Sequence, residues 1–130
     1  MGHKPDRPIS PHLGIYQRGP HMMVSIIHRI TGFVLATAGM LTLLWWLASI
    51  AGGEQAYATF LSYAVDGGKD ATTWQVVCNW LFRLVAIGVT WSFFQHLFSG
   101  LRHLVMDMGA GYELKTNKQW TWAVFIAAIM

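Results

Sequence analysis

The sequence predicts an all-α integral membrane protein, a helical bundle with three transmembrane helices of which the third is short or truncated. Three observations predict it. Hydrophobic residues make up 54% of the chain and charged ones only 12%, where a globular domain carries roughly 25% charge. The few charges leave two long stretches entirely free. Seven Trp and seven Met among 130 residues are too many for a small soluble core. A disordered chain is excluded by the apolar content, and a disulfide scaffold by the single Cys78. The length gives one domain, 1–130, with no room for a second catalytic module.

The elements follow in chain order. Residues 1–23 hold four prolines and no apolar core, so they form a polar lead-in and no cleavable signal peptide. Asp6 stands where a myristoylation motif needs Ser or Thr. The first helix is expected over 24–50. Its 21-residue stretch Ile30 to Ile50 has no charge and, at about 1.5 Å per residue, reaches about 31 Å, the thickness of a bilayer core. The segment from 51 to 71 reads as a connection, with Asp66-Gly67-Gly68-Lys69-Asp70 a turn and no phosphate loop. The second helix is expected over 72–106, because Leu84 to Leu101 is again free of charge; it projects beyond the hydrocarbon. Trp120 to Met130 is an apolar run of 11 residues, too short to cross alone, and reads as the start of a third helix.

Charge placement orients the spans. Lys4, Arg7, Arg18 and Arg29 accompany the first segment, Lys69 and Arg83 the connection, and Arg102, Lys115 and Lys118 the last loop. Basic residues therefore number four, two and three along the chain, which puts the N-terminus and the 102–118 loop inside. The net charge of +3 is a topology signal. The basic residues are neither clustered nor interleaved with aromatics, so no nucleic-acid surface is expected. The absence of an Arg- and Ser-rich amphipathic leader favours a bacterial inner membrane over a mitochondrial one.

Polar groups at membrane depth point to function. Ser25, His28 and Arg29 share roughly one face of the first helix. Arg29 is either an interfacial anchor or part of a polar pocket, and Arg with Ser suits a ligand bearing carbonyl or carboxylate oxygens. His96 lies too deep to snorkel. It is either a neutral histidine bonded between helices or an axial haem ligand, and Gly100, about one turn on, would let a flat macrocycle approach. His103 is seven residues from His96, about 10.5 Å along the axis, so the two cannot ligate one iron. His3, His12 and His21 precede the first helix, which makes a partner subunit the expected source of the second axial ligand. His28, Arg102 and His103 would face the propionates.

Two motifs then carry a resemblance. Arg7-Pro8-Ile9-Ser10-Pro11-His12-Leu13-Gly14-Ile15-Tyr16, followed by Ser25-Ile26-Ile27-His28-Arg29-Ile30-Thr31-Gly32, is similar to the first signature of the succinate dehydrogenase cytochrome b subunits. The run from His96-Leu97-Phe98-Ser99-Gly100-Leu101-Arg102-His103 to Asp107-Met108-Gly109 is similar to their second. The resemblance implies three transmembrane helices paired with a second small anchor subunit that supplies the other axial histidine. It implies one haem b between them, with flavoprotein and iron–sulfur subunits on the inner face. His96 would be the axial iron ligand, Ser25 and Arg29 would line a ubiquinone pocket, and His28 and Arg29 would lie near the propionates. His103 would have a propionate-side or structural role. The expected function is that of a haem- and quinone-binding anchor in complex II, serving electron transport and the tricarboxylic acid cycle, with succinate oxidation in other subunits. The rival expectation is a non-redox helical membrane subunit, for assembly or transport, whose buried His and Arg are structural.

Overall fold

The computed structural model describes residue 10 and residues 12–16 and 19–130. Lys4, Arg7 and Arg18 of the orientation argument, and Arg7-Pro8-Ile9 and Pro11 of the first signature, lie outside the described residues.

Helix α1 spans Pro20–Val34, opening with proline at its first turn, where a missing N–H costs nothing. It continues through one π-helical turn, Leu35–Gly39, into α2, Met40–Ala51. Together they form one rod of 32 residues, Pro20–Ala51. Gly53 then adopts φ +82° and starts α3, Glu54–Ala64, a conformation that a side chain at Cβ would strain.

Residues 51–71, expected to be a connection, instead carry α3. The helix turns an aromatic face back onto the rod, with Phe60 edge-on to Trp45 at 4.8 Å and to Phe82 at 6.0 Å. Asn79 closes the connection from the other side. Its amide donates to Ser62 O at 3.0 Å and accepts from Gly67 N at 3.2 Å. Arg83 donates to Val65 O at 3.2 Å while its guanidinium lies 5.0 Å over the Trp80 ring.

Helix α4 runs Thr73–Asp107, 35 residues, reaching about 52 Å against a core of about 30 Å. Thr72 and Gln75 start it with a reciprocal capping box. Its end is equally defined. Gly109, at φ +84°, lets Ala110 N donate to Val105 O and Gly109 N to Met106 O, which closes the last carbonyls in a Schellman turn. Helix α5 spans Leu114–Ile129, starting a turn and a half before the expected Trp120. The polar stretch 115–119 is helical because Asn117 has a partner inside the bundle.

Of these elements, Pro20–Ala51 and Thr73–Asp107 are long and apolar enough to cross a membrane. Sorting of side chains is reversed relative to a soluble bundle. Leu, Ile, Phe and Trp line the outside, while Thr31, Ser49, Asn79, Ser92, Gln95, Ser99, Arg102 and Thr121 are buried. Lipid tails are as apolar as Leu, so polar and small groups find their partners inside.

Candidate functional site

The site lies where α1 crosses α4. Histidine residues 28 and 96 come from different helices, yet their rings stack with centroids 3.9 Å apart and planes 10° from parallel. His103 stands edge-on to His28 at 5.0 Å, so the three imidazoles form a row with His28 in the middle. His28 therefore accompanies His96 at the helix crossing, whereas the expectation had it facing the propionates apart from the deep His96. The 3.9 Å separation is a van der Waals contact with no space for a macrocycle between the rings.

Small residues make the crossing possible. A Cβ on Gly32 would lie 2.9 Å from His96 Cε1 and 3.3 Å from its Nδ1, so only glycine seats this ring against α1. A Cβ on Gly100 would meet His28 Cε1 at 3.7 Å, an ordinary contact. Gly100 thus lies under the His28 ring, where the sequence reading had reserved its surface for a macrocycle.

Hydrogen bonds fix the tautomers. His96 Nδ1 lies 3.0 Å from His28 O and 3.4 Å from Thr31 Oγ1. A carbonyl oxygen only accepts, so Nδ1 carries the proton and Nε2 keeps a bare lone pair. His28 Nδ1 lies 2.6 Å from Ser99 Oγ, whose own proton goes to Gln95 O at 2.7 Å. His28 Nδ1 is therefore also the donor. Thr31 Oγ1 donates to Ile27 O at 2.8 Å, leaving its lone pairs toward His96. Neither Nε2 has a hydrogen-bond partner among the described residues.

The remaining candidates separate. Ser25 is half-buried and Arg29 exposed, about one turn apart on α1. Arg102 does not join them. It is 5% exposed and donates to Asn117 Oδ1 on α5. The sequence reading missed Thr31, Gly32 and Asn117 as site or clamp residues. The first two stand three and four positions after His28, the spacing at which helix neighbours share a face. Asn117 had no such signal.

Comparisons with known proteins place the chain in a transmembrane family. The family described as succinate dehydrogenase/fumarate reductase transmembrane subunit matches residues 3–130. The chain belongs to this family. Among curated relatives, a succinate dehydrogenase cytochrome b556 subunit of Paracoccus denitrificans is 32% identical over 125 residues, 96% of this chain and 85% of the relative. One of the same name from Rickettsia felis (strain ATCC VR-1525 / URRWXCal2) is 30% identical, with 95% and 86% covered. A succinate dehydrogenase cytochrome b560 subunit of Reclinomonas americana is 36% identical over 110 residues, 85% of this chain and 70% of the relative. Family membership thus covers both long helices, the histidine row and α5. The resemblance read from the two motifs holds across the chain.

Proposed function

We propose that the chain is the membrane-anchoring cytochrome b subunit of a succinate:ubiquinone oxidoreductase, holding one side of a haem b and part of the ubiquinone site. One observation carries the haem assignment: His96 donates Nδ1–H to the His28 carbonyl and so keeps Nε2 free to ligate. A neutral imidazole with its other nitrogen tied to a carbonyl is the state in which histidine binds a metal, and histidine is a common axial ligand of haem iron. The residues fit the group. His96 would hold the iron, and His28, Arg29 and His103 would stand toward the propionates. Bound there, haem b supplies a one-electron couple within the membrane. His28 is stacked on His96 and is not free to hold the same iron, so a partner anchor subunit would supply the second histidine.

Arg29 and Ser25 would form the ubiquinone end. A guanidinium and a hydroxyl, one turn apart, donate to a quinone carbonyl oxygen and favour negative charge as it develops on reduction. Arg29 is exposed on the isolated chain, which suits a pocket completed by the iron–sulfur subunit. Succinate oxidation is assigned to the flavoprotein subunit. In this reading α5 enters the bilayer as the third span, the protein resides in a bacterial inner membrane, and its N-terminus is cytoplasmic.

The test is spectroscopic and kinetic. A reduced-minus-oxidised spectrum of the purified complex is expected to show a b-type band that His96→Ala loses. Ser25→Ala and Arg29→Ala are expected to slow ubiquinone reduction while succinate-to-dye activity remains. No b-type band in the wild-type complex would overturn the haem assignment, and normal ubiquinone reduction in both pocket variants would overturn the quinone assignment.

A further inference from the structure

Gln95 directly precedes His96 on α4 and is completely buried. Neither its amide nitrogen nor its amide oxygen has a hydrogen-bond partner among the described residues. The helices of this chain already enclose it, so a neighbouring subunit does not reach it. Three buried hydroxyls of the same interior are engaged elsewhere. Thr31 donates to Ile27 O, Ser99 to Gln95 O, and Thr121 to Asn117 O. Each of these protons stays within its own helix, and Ser92, one turn before Gln95, makes no hydrogen bond to its amide. In a hydrocarbon setting an amide without partners is strongly unfavourable.

Arg102, seven residues further along the same buried stripe, repeats the pattern. It reaches Asn117 Oδ1 through Nη2, while its Nε is buried without a partner. Beside it lies a cavity of about 10 Å³, lined by Arg102, Val105, Met106, Ala110, Gly111 and Trp120. That volume is about what one water molecule requires.

We infer that α4 carries two internal water sites on its buried face, one at the Gln95 amide and one at Arg102 Nε. The ligand is water because a single water molecule both donates to Oε1 and accepts from Nε2 or Nε–H, and the cavity beside Arg102 has room for little more. The hydroxyls that have given up their protons keep lone pairs, so the interior still offers acceptors to the water's own hydrogens. Ser99, the acceptor for His28, lies between the two positions on the stripe. The two waters therefore stand on either side of the residue that orients the histidine row. Neither site uses a group assigned to haem or quinone, and the inference stands or falls apart from that assignment.

Electron cryo-microscopy of the full chain in the complex with which it purifies, in lipid nanodiscs and refined far enough to show ordered water, tests it. One density peak is expected within about 3.2 Å of the Gln95 amide and another within the same reach of Arg102 Nε. In Gln95→Leu the first peak is lost and the second kept. A wild-type map in which the Gln95 amide bonds a group of the chain, with no peak beside it, overturns the first site. Side chains closing the cavity at Arg102 overturn the second. The wild-type map decides both, whether or not the variant assembles.

Discussion

Gly32→Ala isolates the seating of His96 from every other feature of the site. The added Cβ would lie 2.9 Å from His96 Cε1, whereas two carbons rest at about 3.5–4.0 Å. The ring or the helix must retreat by roughly 0.6 Å or more. A retreat of that size along the Nδ1–O direction stretches the 3.0 Å bond to His28 to about 3.6 Å, which is no longer a hydrogen bond. One face of the ring is closed to escape, because His28 is stacked on it at 3.9 Å. Loss of such an orienting bond typically costs about 10–100-fold in metal affinity. The assay is transfer of haem from the purified complex to excess apomyoglobin, followed by loss of the b-type band. Gly88→Ala is the control, since a Cβ there meets nothing within 4 Å. Faster haem loss in Gly32→Ala alone is expected. Equal retention in Gly32→Ala and wild type would refute the reasoning.

Three further outcomes are expected. Ser99→Ala removes the acceptor for His28 Nδ1 and leaves an N–H unpaired, lowering stability by about 1–3 kcal/mol, read as a reduced thermal midpoint of the complex. Asn117→Ala removes the partner of Arg102, a bond to a charged group of about 1.5–3 kcal/mol. Hydrogen exchange over Leu114–Ile129 should accelerate while that of α1 does not. Thr72→Ala breaks the capping box at about 1 kcal/mol, and faster exchange should be confined to the first turn of α4.

The long helices were legible because their cause is local. Charge-free runs of bilayer length fix α1–α2 and the middle of α4, and Thr72 with Gln75 marks where α4 starts. The depth of His28 and His96 along each helix could be counted from sequence. Their stacking could not, since it depends on how α1 and α4 cross, and Gly32 sets that from the helix opposite. Helix α3 was missed although Tyr57, Phe60, Leu61 and Ala64 fall at helical spacing, because Gly52-Gly53 and the short span read as a connection. The π turn at Leu35–Gly39 has no sequence signature at all. Helix α5 was started late because Lys115 to Gln119 is polar, and the partner that draws Asn117 inward lies 15 residues away on α4.

The reversed sorting of side chains has a thermodynamic consequence. The large heat-capacity change that curves the stability of soluble domains comes from exposing apolar surface to water. Here most Leu, Ile, Phe and Trp already face outward, and in a bilayer they remain in hydrocarbon whether the helices are together or apart. Separating α1 from α4 would wet little new apolar area. The association of these helices should therefore have a nearly temperature-independent enthalpy and no tendency to weaken on cooling. Its strength is set by a handful of polar contacts, Arg102 to Asn117 and His28 to Ser99 among them.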